Sequence, residues 1–187
     1  MKGSRSWGFL FAVLLIPCLS APAFATGLAA GAFGVYNFPI LQDDAAGGAL
    51  YGLKAKIGVP VVVLEPSLTF ISVGDKENED DAIGDFTQKG GSITSYGLNV
   101  SLGGMKEMPG VGFYGTGGIG AYALSSDLDY KEDETRFGFN VGAGLVFKVS
   151  PKFDIDMSGR FIVITLDGGG SRKSVGLFTG LNFYFGS

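Results

Sequence analysis

The chain has 187 residues, with 14 basic side chains, 18 acidic ones, one cysteine and no histidine. The acidic balance argues against a nucleic-acid partner, which calls for a basic surface, and a single cysteine cannot build a disulfide scaffold. Because the commonest general base and transition-metal ligand is missing, we predict no enzyme activity, no cofactor and no metal site.

The N-terminal segment has the pattern of a secretory signal peptide. Two basic residues precede an apolar run from Trp7 to Ile16, and Ala23-Phe24-Ala25 supplies the small residues of a cleavage site. The run is too short for a spanning helix, which needs about 20 apolar residues. We therefore predict a cleaved signal peptide over 1–25, with cleavage between Ala25 and Thr26, and one barrel domain over 26–187.

The rest of the sequence alternates between apolar residues and small or charged ones, which is the pattern of strands with one apolar face. The mean hydropathy of +0.31 is high, and no apolar run is long enough for a membrane helix, so a closed barrel is the structure that can cross a bilayer. The segments are 28–38, 49–59, 62–74, 92–103, 111–124, 135–149, 153–166 and 174–185. This predicts an all-β fold, an eight-stranded antiparallel up-and-down transmembrane β-barrel.

The connections and two of the turns support this prediction. Short or moderate connections (60–61, 103–110, 150–152) alternate with mostly longer, polar ones (39–48, 75–91, 125–134, 167–173), as in outer-membrane barrels. The two shortest turns also predict four cross-strand pairs: Val149 with Phe153, Lys148 with Asp154, Val59 with Val62, and Lys56 with Glu65.

The apolar face carries two predicted aromatic girdles, which are typical of membrane interfaces. One girdle, near the short turns, contains Phe113, Phe147, Phe153 and Phe185, and the other contains Tyr36, Phe38, Tyr51, Tyr96 and Phe137. The competing interpretation is a soluble sandwich or barrel, which would direct the apolar face inward and charges outward. The opposite face here is too rich in glycine and too poor in charge for a solvated surface.

Charged residues at alternate positions are predicted to face the lumen. They are Lys54, Lys56, Glu65, Arg136, Lys148, Asp154, Asp156 and Arg160. Buried charges must be paired, and an eight-stranded barrel is just wide enough for side chains to fill it. We therefore favour a structural salt-bridge network, and an ion path lined by the same residues is the alternative.

Two of the longer connections are strongly acidic. The residues concerned are Asp75, Glu77, Glu79, Asp80, Asp81, Asp85, Asp127, Asp129, Glu132, Asp133 and Glu134. A charge run of this kind usually forms a solvated loop. Carboxylates also suit calcium or magnesium, although the run lacks the glycine of an EF-hand loop.

Residues 115–120 (GTGGIG) match the dinucleotide fingerprint G-x-G-x-x-G. That motif requires a strand followed by a helix, and the next residues have no helical periodicity. We interpret these glycines as thinning a strand inside a narrow barrel.

The last strand, VGLFTGLNFYF, resembles the C-terminal assembly signal of bacterial outer-membrane proteins, although Gly186 and Ser187 follow the final aromatic residue. With GTGGIGAYAL and FNVGAGLVFKVSPKFDIDMSGRF, it makes the chain similar to the small eight-stranded outer-membrane β-barrel group. That group includes the OmpA transmembrane domain, OmpX and the opacity-type proteins. The resemblance implies a multi-pass barrel in a Gram-negative outer membrane, with termini in the periplasm.

From this resemblance we expect a structural or adhesin-like surface role for a filled barrel that displays acidic loops. The alternative is a narrow porin-like channel for ions or small solutes. The expected partners are outer-membrane lipid and lipopolysaccharide, the barrel-assembly machinery and periplasmic chaperones, and an extracellular protein or cell surface.

Overall fold

The fold is seen in a computed structural model that describes residues 27–40, 46–59, 62–78, 86–88, 90–103, 110–126, 134–166 and 169–185. The predicted signal peptide and its cleavage position between Ala25 and Thr26 lie outside these ranges. Within them, no helix has the length and apolar character of a membrane-spanning one.

Ten strands make up the described chain: β1 (Gly27–Pro39), β2 (Gly48–Gly58), β3 (Val62–Val73), β4 (Lys76–Asn78), β5 (Phe86–Gln88), β6 (Gly91–Gly103), β7 (Gly110–Ser126), β8 (Glu134–Ser150), β9 (Phe153–Leu166) and β10 (Gly170–Phe185). Eight of them close a barrel in the order β1-β10-β9-β8-β7-β6-β3-β2. All neighbours are antiparallel. The predicted eight-stranded up-and-down barrel is therefore confirmed.

The two remaining strands form a separate hairpin within the region predicted as a loop over 75–91. Glu77 of β4 lies opposite Thr87 of β5. At the base of the hairpin, the amide of Gly90 donates a 2.8 Å hydrogen bond to Asp75 Oδ1. The loop prediction was incomplete here, because strands of three residues are too short to show an alternation in the sequence.

The β9–β10 connection is shorter than predicted. The polar residues 170–173 are predicted to lie in a loop, but Arg172 lies opposite Ile164 and Lys173 opposite Val163 in the sheet. Gly169 has a φ of +84°, a backbone conformation that glycine adopts without strain. A tight turn at this glycine lets pairing begin at Gly170.

Three of the four predicted cross-strand pairs agree with the register, and one is wrong. Lys148 lies opposite Asp154, but Phe153 pairs with Ser150 because a bulge displaces Val149. Ser150 Oγ accepts hydrogen bonds from the amides of Lys152 (3.3 Å) and Phe153 (3.2 Å), which explains the tighter turn.

The other short turn keeps the predicted register. The amide of Val59 donates to the carbonyl of Val62 at 2.9 Å. Lys54 opposite Ser67 and Ile57 opposite Leu64 bracket the next pair. This register places Lys56 opposite Glu65, as predicted.

The outer surface of the barrel is apolar. Eight of the nine predicted girdle residues are exposed, from Tyr36 at 38% to Phe113 at 79%, and Phe147 is partly buried. By strand alternation, Lys173 is the only charged residue at an outward position of the barrel strands that the structure describes. Since the apolar residues face out, the soluble-barrel interpretation fails.

The lumen is divided into two halves. We call the end with the β2–β3 and β8–β9 turns, Gly27 and Phe185 the short-turn end, and the opposite end the long-loop end. Buried charges fill the half near the short-turn end, and buried apolar side chains fill the other half. The sequence predicted the first half but not the second.

Candidate functional site: the lumen of the barrel

Strand alternation brings six of the eight predicted lumen charges into one connected group. We call this group the charge cluster, and its members are Lys54, Lys56, Glu65, Asp154, Asp156 and Arg160. Residues two apart on a strand share a face, so β2 supplies both lysines and β9 both aspartates. Every member is at most 7% exposed.

Asp156 is the centre of the cluster. Its Oδ2 lies 2.5 Å from Lys54 Nζ and 2.8 Å from Lys56 Nζ. Lys56 Nζ also lies 3.6 Å from Asp154 Oδ1. One carboxylate oxygen thus holds two ammonium groups in a region from which bulk water is excluded, where charge-assisted hydrogen bonds are strong.

Glu65 connects the cluster to β9 from the other side of the lumen. Its Oε2 lies 3.7 Å from Lys54 Nζ, and its Oε1 lies 4.0 Å from the guanidinium of Arg160. The predicted pair of Lys56 and Glu65 shares the predicted register, but the Lys56 ammonium binds the aspartates of β9 instead.

Sequence reasoning missed the uncharged partners of the cluster. Asn182 Nδ2 donates to Asp154 Oδ1 at 2.6 Å and to Asp156 Oδ2 at 2.9 Å. The hydroxyl of Tyr184 donates to Asp154, and Ser101 Oγ donates to Glu65 Oε1 at 2.5 Å. All three residues lie at inward positions of their strands, which was the signal available in the sequence.

Cations of the lumen also lie over aromatic rings, a favourable arrangement. Lys148 Nζ is 3.3 Å from the ring centroid of Tyr184. The guanidinium carbon of Arg160 is 4.8 Å from the ring of Phe178, and Lys54 Nζ is 5.7 Å from that of Phe33. Phe33 and Phe178 therefore mark the boundary between the two halves of the lumen.

Inward-facing glycines make room for these side chains. A Cβ at Gly144 would lie 2.7 Å from the hydroxyl of Tyr114, and one at Gly118 would overlap Asn99 Oδ1. Gly118 belongs to the fingerprint-like run 115–120, which lies wholly within β7. Within the described residues no helix follows that strand, so the geometry of a dinucleotide site is not formed there.

An apolar plug fills the long-loop half of the lumen. Its members are Phe33, Leu50, Ile71, Ile93, Tyr122, Ile162, Ile164 and Phe178, all buried, with Val73 and Leu124 packed against them. The rings of Phe33 and Phe178 are 5.5 Å apart. The alternation had predicted small or charged residues on the inner face, and in this half of the lumen that prediction was wrong.

The remaining lumen residue, Arg136, lies away from the cluster. It pairs with Glu134 and lies opposite Tyr122 of β7, near the long-loop end. Glu134, predicted to lie in a loop, is the first residue of β8. This ion pair is part of the rim of the barrel and not of its charged interior.

The acidic connections are only partly described. Asp75, Glu77 and Glu134 have the positions given above, whereas Glu79, Asp80, Asp81, Asp85, Asp127, Asp129, Glu132 and Asp133 lie outside the described residues. In the part of the chain that the structure covers, no group of three or more carboxylate, cysteine or histidine side chains could hold a metal ion.

Comparison with known proteins gives one family match. The outer membrane protein beta-barrel domain matches residues 11–183 of this chain. No curated relative matches it.

Two solved barrels are similar in fold. The N-terminal barrel domain of Pseudomonas aeruginosa OprF is 19% identical, with 87% of this chain and 99% of that chain covered and a TM-score of 0.58. Neisserial surface protein A is 18% identical, with 85% of this chain and 96% of that chain covered and a TM-score of 0.61.

Proposed function

The chain belongs to the outer membrane protein beta-barrel domain family, and from this premise we propose that it is a surface-interaction protein of a Gram-negative outer membrane. Its filled barrel is the anchor, and its longer connections are the interacting part. This role is adhesin-like and involves no catalysis, since the chain has no histidine to act as a general base.

The observation that carries this proposal is the filling of the lumen. Asp154, Asp156 and Asn182 are 0% exposed, and the apolar plug lies between them and the long-loop end. A conducting path needs a continuous polar lining. The side chains of the charge cluster fill the lumen in one half, and the apolar plug removes the polar lining in the other, so the barrel supports anchoring better than conduction.

The orientation follows the usual arrangement of bacterial barrels, with short turns in the periplasm and longer loops outside. We infer that the termini and the charge cluster face the periplasm. The predicted signal peptide and the alternating C-terminal strand support export followed by insertion through periplasmic chaperones and the barrel-assembly machinery.

At the cell surface we infer two kinds of partner: the lipid and lipopolysaccharide of the membrane, and an extracellular protein or cell surface. The acidic connections suit divalent cations that bridge to lipopolysaccharide, or a basic protein or cell surface. Lys173, the outward-facing cation near the long-loop end, suits a lipid phosphate. The name of one structural neighbour, Neisserial surface protein A, is in line with a surface role.

Single-channel recording in a planar lipid bilayer tests this proposal against the porin-like alternative. Protein shown to be folded and inserted is expected to give no discrete current steps. Reproducible steps that change in Asp154→Asn or Arg160→Gln would make the protein a channel lined by the charge cluster. A variant of the exposed Glu77 in the β4–β5 hairpin, Glu77→Gln, is the control for a charge change outside the lumen.

A further inference from the structure

In the barrel that the structure describes, one pair of neighbouring strands has no turn to join it. Every other barrel strand lies beside the next barrel strand along the chain, but β1, the first, lies beside β10, the last. We call this pair the seam, and its register runs from Leu28 opposite Phe185 to Pro39 opposite Ser174. An open seam would leave two strand edges unpaired in the hydrocarbon of a membrane. The barrel therefore depends on keeping the seam closed.

The inward side chains of β1 near the short-turn end are too small to hold the seam by themselves. Ala29 and Gly31 occupy these positions, and they lie opposite Tyr184 and Asn182 of β10. A Cβ at Gly31 would overlap Asn182 Oδ1, so this position has no room for a side chain of its own. The small residues leave the space along this part of β1 to side chains of other strands.

The charge cluster fills this space with side chains that reach across the seam. The two seam strands lie between β2 and β9, so β2 and β9 are three strand spacings of about 4.8 Å apart. Lys54 Nζ and Lys56 Nζ nevertheless lie 2.5 Å and 2.8 Å from Asp156 Oδ2. Asn182 of β10 donates to Asp154 and to Asp156. One group of buried side chains thus joins β2, β10 and β9.

The charges of the cluster are divided between the two sides of the seam in complementary sets. On one side β2 and β3 supply two cations and one anion, and on the other side β9 supplies two anions and one cation. The first set is Lys54, Lys56 and Glu65, and the second is Asp154, Asp156 and Arg160. Each set alone has one charge that its own members do not neutralise. Because a buried charge without a partner is unfavourable, the two sets favour the closed seam.

We propose that the charge cluster is a latch that keeps the seam closed at the short-turn end. In the other half of the lumen, the rings of Phe33 on β1 and Phe178 on β10 are 5.5 Å apart and join the seam strands directly. The latch acts where the inward residues of β1 are too small for such a contact. Breaking its lysine–aspartate pairs opens the seam locally before the rest of the barrel unfolds. This inference concerns closure of the barrel and does not depend on what the loops bind.

Hydrogen exchange of backbone amides tests the latch. In folded protein in micelles, exchange followed by NMR reports the local opening of each pair of strands. The amides bonded between β1 and β10 are compared with those bonded between β6 and β7, on the opposite side of the barrel. Lys56→Met removes an ammonium group that reaches across the seam but retains a long side chain. We expect exchange at the seam to become faster by about tenfold or more relative to the β6–β7 pair.

Ser101→Ala is the matched control, because it removes a hydrogen bond to Glu65 of the same cluster that joins β6 to β3 and not the seam strands. It should not make the seam exchange faster than the β6–β7 pair. A seam-selective effect in both variants would overturn the proposal, since the seam would then be merely the weakest pair of strands. Equal or greater acceleration at β6–β7 in Lys56→Met, or no change at either pair, would also overturn it. If Lys56→Met does not fold, Asp154→Asn replaces it, because it weakens a contact of the same ammonium group with little change in shape.

Discussion

The two halves of the lumen solve the same packing problem with different chemistry. Near the short-turn end, charged side chains from β2, β3 and β9 neutralise one another. Near the long-loop end, apolar side chains from seven strands pack as in the core of a soluble protein. The charged half depends on the presence of every partner, whereas the apolar half depends on shape and tolerates small changes in volume.

The largest expected loss of stability comes from removing Asp156, the centre of the charge cluster. Asp156→Ala leaves the ammonium groups of Lys54 and Lys56 without their closest partner, and breaking a buried ion pair in this way costs about 3–5 kcal/mol. The free energy of unfolding, measured by urea titration in lipid vesicles, should fall by that amount. Glu77→Ala, at an exposed position, is the control, and equal stability of the two variants would contradict a tightly coupled cluster.

A second test compares arginine substitutions on the lipid-facing surface with one in the lumen. Phe139 is 45% exposed on the outer face, and Leu145 shares that face. Arginine at either position should cost roughly 2–4 kcal/mol near the middle of a bilayer. At the inward Gly142, a Cβ would already overlap the carbonyl of Gly159, so Gly142→Arg should not fold. Normal folding and unchanged stability of the two outward variants would reject the assignment of faces.

The contrast between the halves also explains what could be predicted from the sequence. Charges are conspicuous against an apolar alternation, so the sequence alone predicts that Lys54, Asp154 and Asp156 face the lumen. The plug was missed because Ile162, Val163 and Ile164 are apolar on both faces of β9, and a continuous apolar run has no period to read. The inward positions of Asn182 and Tyr184 are predictable from the alternation, but their contacts with the aspartates are not, because these depend on the register of the β9–β10 hairpin, whose connection is predicted too long.

A third test weakens the charged half without removing a charge. Tyr184→Phe keeps the ring beneath Lys148 but removes the hydroxyl that donates to Asp154. Hydrogen bonds to charged groups contribute about 1.5–3 kcal/mol. The unfolding free energy should fall within that range. Tyr96→Phe, on the outer face, is the matched control, and a loss at Tyr96 as large as that at Tyr184 would argue against a special role for the inward hydroxyl.

The smallest expected effect lies in the apolar half. Ile71 is 3% exposed within the plug, whereas Ile119 is 55% exposed toward lipid. Ile71→Val removes one methylene from a packed interior and should cost about 0.5–1.5 kcal/mol. Ile119→Val removes the same group where lipid chains can fill the space, so its cost should be smaller. Equal losses at the two positions would mean that the plug packs no better than lipid does, and that its role is to keep the lumen dry and not to stabilise the barrel.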